Sequence, residues 1–567
     1  MRTRDDEGSA LLVVLGMMMV LTLIVTVAAT LAMKTAAFAR HSNDWNAALA
    51  AAEAGVDDYL ARLNRDDNYW VTSPDCTNVA MRKPNVSRCS WGASTTIGWA
   101  DVPQGDRAQF HYDVVTTSTP VNGTIKLTAT GRVGSVTRTV STVLRRGGFG
   151  EFLYYTVYET IDPANEAVYG LNNATAQDKC SHYAWDPTTP RPKNQSIGGV
   201  TGCVNIQFGD NDKINGPLHT NDTMLTGGNP LFQGTVTTSD PACQPVNGVA
   251  RPATSCYTKN GTSNPQFDKG INYRAEVELP TSIGDLSQHV DPTKTSTPGC
   301  LYTGPTRIKL IDDGSTYSKM KVWSPFTVSG VNSGCGGTRP NGVTVTIPNN
   351  NLVMVRNVPS NEATAATSVA CTGGAIGDGY PLTDDINRKL NEASCGYGTL
   401  YVEGQLAGRL TFSAANNIVI TGDLTYSGGK TGLDALGLIA ENSVKIYHPV
   451  KSTCSNPFSS SCSNYTELSR PNSAGIFKNA KVYAAILTLQ HSFTVQMYDQ
   501  ASNLGTLSVF GTIAQRFRGP VGLAGGTGFT KSYEYDTRLR YSPPPFFLDP
   551  VRSSWGVKAY GESTPAY

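Results

Sequence analysis

Residues 9 to 33 read SALLVVLGMMMVLTLIVTVAATLAM, 25 consecutive residues without a charge, near the start of a chain of 567. At about 1.5 Å per residue the run makes a helix of roughly 37 Å, longer than the roughly 30 Å hydrocarbon core of a bilayer. A cleavable secretory signal has an apolar centre of only about 7 to 15 residues, followed by a small-residue cut site. Here the nearby Ala37-Phe38-Ala39 lies beyond Lys34. A buried core helix would carry polar positions along one face, and only Ser9, Thr22, Thr26 and Thr30 are polar. The run is predicted to span a membrane once.

Arg2 and Arg4 precede the span and Lys34 and Arg40 follow it, so flanking charge sets the orientation only weakly. Cysteine decides it. All twelve lie beyond the span, at Cys76, Cys89, Cys180, Cys203, Cys243, Cys256, Cys300, Cys335, Cys371, Cys395, Cys454 and Cys462. An even set of close neighbours fits a disulfide framework made in an oxidising compartment, which places the bulk of the chain outside the cytoplasm. Pairing in sequence order (Cys76 with Cys89, Cys180 with Cys203, Cys243 with Cys256, and onward) is the simplest connectivity, though spacing alone does not prove it. Closing such loops is typically worth about 2 to 4 kcal/mol each. No CxxC occurs, so the spacing for a structural zinc site is missing, and neither metal nor cofactor is expected.

With 39% hydrophobic and 16% charged residues and a formal net charge of +1, the chain has no electrostatic pull toward nucleic acid. Its 56 glycines and 32 prolines, with many Thr, Ser and Asn, favour short strands and turns over helices. The first helix nevertheless continues past the span. Trp45, Leu49, Ala52, Val56, Leu60 and Leu63 recur at spacings of three and four, which is one stripe of an amphipathic helix. One helix from about Ser9 to about Leu63 would be roughly 80 Å long.

A short charged leader ending in Gly8, an apolar helix kept after the cut, and an alanine-rich amphipathic continuation resemble a type IV prepilin. More closely, GSALLVVLGMMMVLTLIVTVAATLAMKTAAFARHSNDWNAALAAAEAGVDDYLARL resembles the PilX-type N-terminal region of minor pilins, including the AAEAG beyond the span. The resemblance covers about residues 1 to 65. It implies cleavage by a prepilin peptidase between Gly8 and Ser9, and packing of the helix against those of other pilin-like subunits. Major pilins carry a glutamate five residues into the mature chain, thought to neutralise a neighbour's terminal amine. Val13 stands there instead. A buried carboxylate is costly unless paired, so its absence suits a subunit that sits beneath no other, at a filament tip.

After the helix the period changes. AQFHYDVVTT alternates Phe110, Tyr112 and Val114 against His111 and Asp113, and GTIKLTATGRVGSVTRTVSTVLRR reads as two strands around a turn at Gly131 to Gly134. A small antiparallel sheet is predicted over 66–147, packed on the amphipathic half of the helix. Gly147 and Gly148 then mark a joint.

Beyond it an apolar-x-Gly-x-apolar motif recurs: Ile214 to Leu218, Val402 to Leu406, Ile420 to Leu424 and Val509 to Ile513, with Val482 to Ile486 carrying alanine in place of glycine. In stacked strands a small residue at a corner lets successive rungs approach. The 18 residues from Gly404 to Gly422 are near one coil of a solenoid. The fold predicted is therefore mainly β: one long transmembrane and amphipathic α-helix, a small antiparallel sheet, and a large parallel β-helix-like domain over 149–567 with disulfide-closed insertions. Paired β-sandwiches are the alternative. The predicted divisions are 1–8, 9–65, 66–147 and 149–567.

Motifs of chemistry are few. SGGKTG at 427 to 432 lacks the first glycine of a phosphate-binding loop, since Leu424 stands in its place, and reads as a turn. Neither HExxH nor GxSxG occurs. The one polar cluster, FGDNDKINGPLHTND, holds Asp210, Asp212, His219, Asn221 and Asp222. Converging carboxylates there could bind calcium or cleave a glycan, while turn-forming Asp and Asn between rungs explain the same residues. The expectation is a minor pilin or pilus-assembly protein, not an enzyme, exposing its β domain to a surface glycan or protein. The alternative is a membrane-anchored protein that binds or cleaves polysaccharide.

Overall fold

The structure, a computed structural model, describes residues 7–66, 69–105, 107–117, 119, 124–170, 174–192, 202–210, 212–327, 335, 339–359, 373–389, 395–458, 462–500, 502–523, 526–551 and 555–567. They form two compact units, Met1–Arg146 with Ser554–Tyr567, and Gly147–Ser553.

The first unit is a helix and a sheet. Helix α1 runs unbroken over Glu7–Arg65, 59 residues. Its last five turns pack on strands β1 (Ala100–Asp101), β2 (Ala108–Val115), β3 (Thr124–Val133) and β4 (Val136–Arg146), all antiparallel in that order. The buried stripe is Ala48, Ala51, Ala52, Val56, Tyr59 and Leu63. It is rotated from the predicted one: Ala52, Val56 and Leu63 are buried, Leu49 and Leu60 are half-buried, and Trp45 is 46% exposed with the Arg138 guanidinium 4.8 Å over its ring. The cause is the closeness of helix and sheet. Small residues face the strands, and a Cβ placed on Gly131 would lie 2.1 Å from the Ala48 carbonyl oxygen. Gly131 therefore sits inside β3, opposite Phe110 and Arg138, and not at the turn where the sequence suggested it. The turn is at Gly134, with φ of +60°.

The sheet holds a fifth strand that local pattern does not announce. Trp555–Ser563 pairs antiparallel with β4, from Trp555 opposite Arg146 to Ser563 opposite Thr139. The division 149–567 is thus corrected: the chain leaves this sheet after Arg146 and returns to it at the end, with the second unit inserted between. Trp555 is 4% exposed and joins the helix–sheet core, and Asn64 bonds both its amide and its carbonyl.

The second unit is a stack of parallel strands. Along its longest face, neighbours run Cys300–Thr303, Leu352–Arg356, Arg409–Ala414, Ala435–Ala440, the end of Lys481–Thr488, the end of Asn503–Arg518, Tyr154–Ile161, Leu218–Thr220, Val236–Thr238 and Ile271–Tyr273, every pair parallel. Two further parallel ladders pass through 400–402, 418–420, 444–446 and 493–495, and through 481–484, 508–511 and 528–535 to 213–215, 231–232 and 266–267. This is the coil arrangement of a β-helix-like domain, whose core holds the inward Leu400, Val402, Ile418, Ile420, Val444 and Ile446, all fully buried. Among the described residues two antiparallel excursions leave the stack: Lys319–Ser324 with Arg339–Thr346, joined to the stacked strand Thr306–Ile311, and Val450–Ser452 with Tyr465–Glu467.

The order of strands in space is not their order in the chain. The chain enters at the middle with Tyr154–Ile161, coils outward to Ile271–Tyr273, crosses back, and coils inward from Cys300 until Asn503–Arg518 and Gly528–Tyr535 pair with the strands where it began. The crossing segment lies on the longest face. Val277, Leu279, Ile283, Leu286 and Val290 form one apolar cluster with Phe149, Tyr155, Leu352, Ile439, Leu487 and Ala514. Strands covered on both sides read as continuous apolar runs, and Ala435–Ala440, ALGLIA, is buried at every residue.

The recurring glycine motif marks corners of the coil. A Cβ on Gly404, at φ of +118°, would lie 2.2 Å from the Leu310 carbonyl oxygen, and one on Gly511 would lie 1.9 Å from that of Ala484, its neighbour in the next coil. The flanking residues, from Ile214 and Leu218 through Val509 and Ile513, are buried. Five disulfides pair in sequence order, Cys76–Cys89, Cys180–Cys203, Cys243–Cys256, Cys300–Cys335 and Cys454–Cys462. Cys395 is also disulfide-bonded, and Cys371 lies outside the described residues.

Candidate functional site

The first half of α1 is a helix without a core. Within Ala10–Phe38 every residue is exposed, Leu11 at 65% and Phe38 at 77% among them. The threonines do not break this surface. Thr22, Thr26, Thr30 and Thr35 each donate their hydroxyl to a carbonyl three or four residues back, at 2.6 to 2.9 Å, so their polar atoms are satisfied within the helix. Such self-satisfied backbone and side chains are what a hydrocarbon environment demands. Among the described residues this is the one helix long and apolar enough to cross a membrane. Val13 is 60% exposed on it, where a carboxylate would have stood alone among leucines and methionines. Gly8 and Ser9 fall within the first helical residues, and the leader residues 1–6 lie outside the described residues.

The polar cluster does not converge. Each of its three described carboxylates is engaged with different partners. Asp210 is exposed and accepts the Asn229 amide at 2.6 Å, holding one turn. Asp212 accepts the Gly209 amide at 2.9 Å and pairs with Lys531 at 3.4 Å, so it ties the outgoing coils to the returning ones. Asp222 is fully buried. It accepts the amides of Glu159 at 2.9 Å and Ala184 at 2.7 Å and forms an ion pair with the buried Arg191, which clamps the Cys180–Cys203 insertion to the coil.

His219 and Asn221 fasten the crossing segment. The Asn221 side chain accepts the Val277 amide at 3.0 Å and donates to the Val277 carbonyl at 2.9 Å, as a backbone partner would. His219 Nε2 donates to the Asn221 side-chain oxygen at 3.0 Å and its Nδ1 bonds the Thr237 hydroxyl at 2.8 Å, its ring stacked on Phe152 and Tyr155. Burial first, and the positive Arg274 second, push its pKa down to about 3. A neutral imidazole with both nitrogens bonded is a structural fastener. The sequence missed its partners because Val277 lies 56 residues from Asn221.

Two more buried polar groups join the coils where the chain meets itself. Glu159 and Arg518, both almost fully buried, pair at 3.1 Å, and Arg518 lies 3.9 Å over the Phe208 ring. Asp162 accepts His491 Nδ1 at 3.0 Å and the Ser492 hydroxyl at 2.6 Å. No local pattern could announce these pairs, because more than 300 residues separate the partners. The stretch 427 to 432 holds a short helical turn, Gly429–Thr431, whose Lys430 pairs with Glu534 and lies 5.2 Å over the Phe510 ring.

Compared with known protein families and with curated proteins, the chain matches none. Among solved structures it is similar to the competence-associated pilin ComZ from Thermus thermophilus, over 92% of this chain and 97% of that one, at 12% identity and a TM-score of 0.26. A likeness of that size carries no weight for role, which rests on the helix and the two units themselves.

Proposed function

We propose that this chain is a minor pilin-like subunit, anchored in a membrane by the apolar half of α1 before assembly, that presents its inserted stack of coils at a filament tip. One observation carries the reading: a single unbroken helix is apolar and bare on all sides for its first half and packed on a small antiparallel sheet in its second. A tethered ectodomain needs the first half only. A helix that leaves the bilayer to pack against its like also needs a rigid continuation that fixes the globular part at a set distance, which the packed half supplies.

The prepilin peptidase, acting on the resemblance at Gly8, removes the charged leader. The stacked-coil unit acts by contact, not catalysis, because the carboxylates singled out by sequence are engaged in turns and clamps. Mass spectrometry of the protein from sheared surface material tests this. A mature start at Ser9 is expected, and Gly8→Asp leaves an uncut precursor in the membrane. An intact Met1 or Arg2 start in surface-exposed material overturns the reading. Val13→Glu is expected to be processed normally and to raise the number of copies per filament.

A further inference from the structure

Four successive strands of the longest face, Leu352–Arg356, Arg409–Ala414, Ala435–Ala440 and Lys481–Thr488, each end in a turn, and the four turns lie side by side. Asn357, Asn416, Glu441 with Asn442, and Gln490 occupy them. With Tyr397 and Ala415 these residues line an open groove of about 330 Å³. Neighbouring coils sit about 4.8 Å apart, so the groove runs for about 14 Å along the axis of the stack.

Each amide side chain in it is pinned by at least one hydrogen bond. Asn357 accepts the Gly398 amide at 2.8 Å, Asn442 donates to Asn416 at 2.6 Å, Asn416 donates to Thr399 at 2.8 Å, and Gln490 donates to the Thr281 carbonyl at 3.2 Å. The other ends of Asn357, Asn442 and Gln490, the Tyr397 hydroxyl and the Glu441 carboxylate make no hydrogen bond or ion pair among the described residues. Burial raises the Glu441 carboxyl above the ordinary range, and among the described residues no cation or donor offsets the lost water. Glu441 is also the one charged residue lining the groove among the described residues. A phosphate polymer or other polyanion would meet this carboxylate and no compensating base. Tyr397, 42% exposed, offers an aromatic face at the edge.

We propose that this groove binds an uncharged, hydroxyl-rich saccharide chain laid along the stack axis, one ring against Tyr397 and its hydroxyls donated to Glu441, Asn442 and Gln490. The Glu441 carboxylate and the side-chain carbonyls of Asn442 and Gln490 accept hydroxyl hydrogens while the amino end of Asn357 donates, a mixed set that suits hydroxyl groups, and its spread over successive coils selects an extended chain over a single ring. The proposal rests on the reading that the stacked-coil unit acts by contact at a surface.

The full mature chain, in lauryldimethylamine oxide micelles that contain no sugar, is titrated calorimetrically with maltoheptaose, cellohexaose and mannohexaose, and with heparin as the polyanion. At least one neutral oligosaccharide is expected to bind, weakened about tenfold or more by Tyr397→Ala and by Glu441→Gln, retained by Tyr397→Phe, and unchanged by Tyr541→Ala at an exposed site elsewhere on the stack. Gln490→Ala, in an outward turn, gives the same weakening should Tyr397→Ala not fold. Binding of none of the three, binding indifferent to both groove substitutions, or heparin competing for the groove overturns the proposal. The mature N-terminus and recovery in sheared surface material are read separately by mass spectrometry, and a failed sugar titration leaves them untouched, so the loss of one reading is told apart from the loss of the other.

Discussion

The two units solve the same problem, burying strands, by opposite means. In the first, a helix of alanines lies so close to a sheet that a glycine is needed at the contact, and the core between them is mainly apolar, with Tyr112 of the sheet donating to Asp58 of the helix at 2.8 Å. In the second, strands from distant parts of the chain are brought into parallel register, and buried polar pairs stand at the joins: Glu159 with Arg518, Asp222 with Arg191, Asn221 with the Val277 backbone. The helix–sheet unit has few alternative arrangements to exclude, because its helix and first four strands are neighbours in sequence. The stack has many, since coils of similar apolar pattern could slip by one rung, and a charge left unpaired by such a slip is penalised heavily. Polar fasteners are thus found where register is most ambiguous.

The largest expected effect follows from that contrast. Arg518→Ala leaves Glu159 buried without its partner, and breaking a buried pair costs about 3 to 5 kcal/mol. Hydrogen exchange is expected to accelerate in Tyr154–Ile161 and Asn503–Arg518, where the chain meets itself, while Thr124–Val133 keeps its protection. Equal acceleration in both units would mean that they do not unfold independently and that the seam is no separate weak point.

Next comes the corresponding injury to the first unit. Gly131→Val forces a side chain into the Ala48–Ala52 backbone, and overpacking of this kind costs about 1 to 3 kcal/mol. Exchange should rise in residues 44–63 of α1 and in β3, with the stack unaffected. If Gly131→Val leaves the helix protected, the closeness of helix and sheet is not what holds this unit.

These positions also mark what could be read without coordinates. The helix was legible because α1 has an unbroken apolar run followed by a stripe at helical spacing, and the coil corners because a small residue between two apolar ones has few other uses. Gly131 was misread as a turn, since nothing local distinguishes a glycine that admits a helix from one that admits a bend. The fifth strand of the small sheet and the meeting of the coils were invisible for a different reason. Trp555 and Arg146, or Glu159 and Arg518, are separated by hundreds of residues, and pairings of that kind leave no periodicity in either segment. The polar cluster left two readings open, a shared site or separate turn residues: Asp210 to Asp222 are close in sequence, but their partners are scattered from Glu159 to Lys531, and that scatter is invisible locally. The groove at the strand ends left no signal, because its residues, from Asn357 to Gln490, come one or two at a time from successive coils.

Acid sharpens the comparison further. A histidine whose folded pKa is lowered binds fewer protons folded than unfolded, so its contribution is present above the ordinary value of about 6.5 and is lost as pH falls toward the folded value of about 3. Below about pH 6 His219 should cost the stack about 1.4 kcal/mol for each pH unit. His219→Gln, which keeps a polar group beside Asn221 and removes the titration, should be less stable at pH 7 and show a shallower loss between pH 6 and 5. Chemical denaturation followed by exchange in Leu218–Thr220 measures it. Identical slopes in the two proteins would show that His219 takes up no proton on unfolding.

The smallest effect is expected where a charge pair fastens the strand that closes the first unit. Arg138 donates to both carboxylate oxygens of Glu562, at 2.6 and 2.5 Å, and ties the last strand to β4. The geometry is as good as at the seam of the stack, but the setting differs: Glu562 is 45% exposed, water screens the pair, and such pairs are worth about 0.2 to 1 kcal/mol. Arg138 also keeps its place over the Trp45 ring without Glu562, which limits the loss further. Glu562→Gln should therefore raise exchange in Trp555–Ser563 by less than about fivefold, and by less still in about 0.5 M salt, where exposed charges are screened over a few ångströms. A loss approaching that of Arg518→Ala would show that the helix–sheet unit, too, depends on a polar fastener, and the contrast between apolar closeness and polar register would no longer separate the two halves of the molecule.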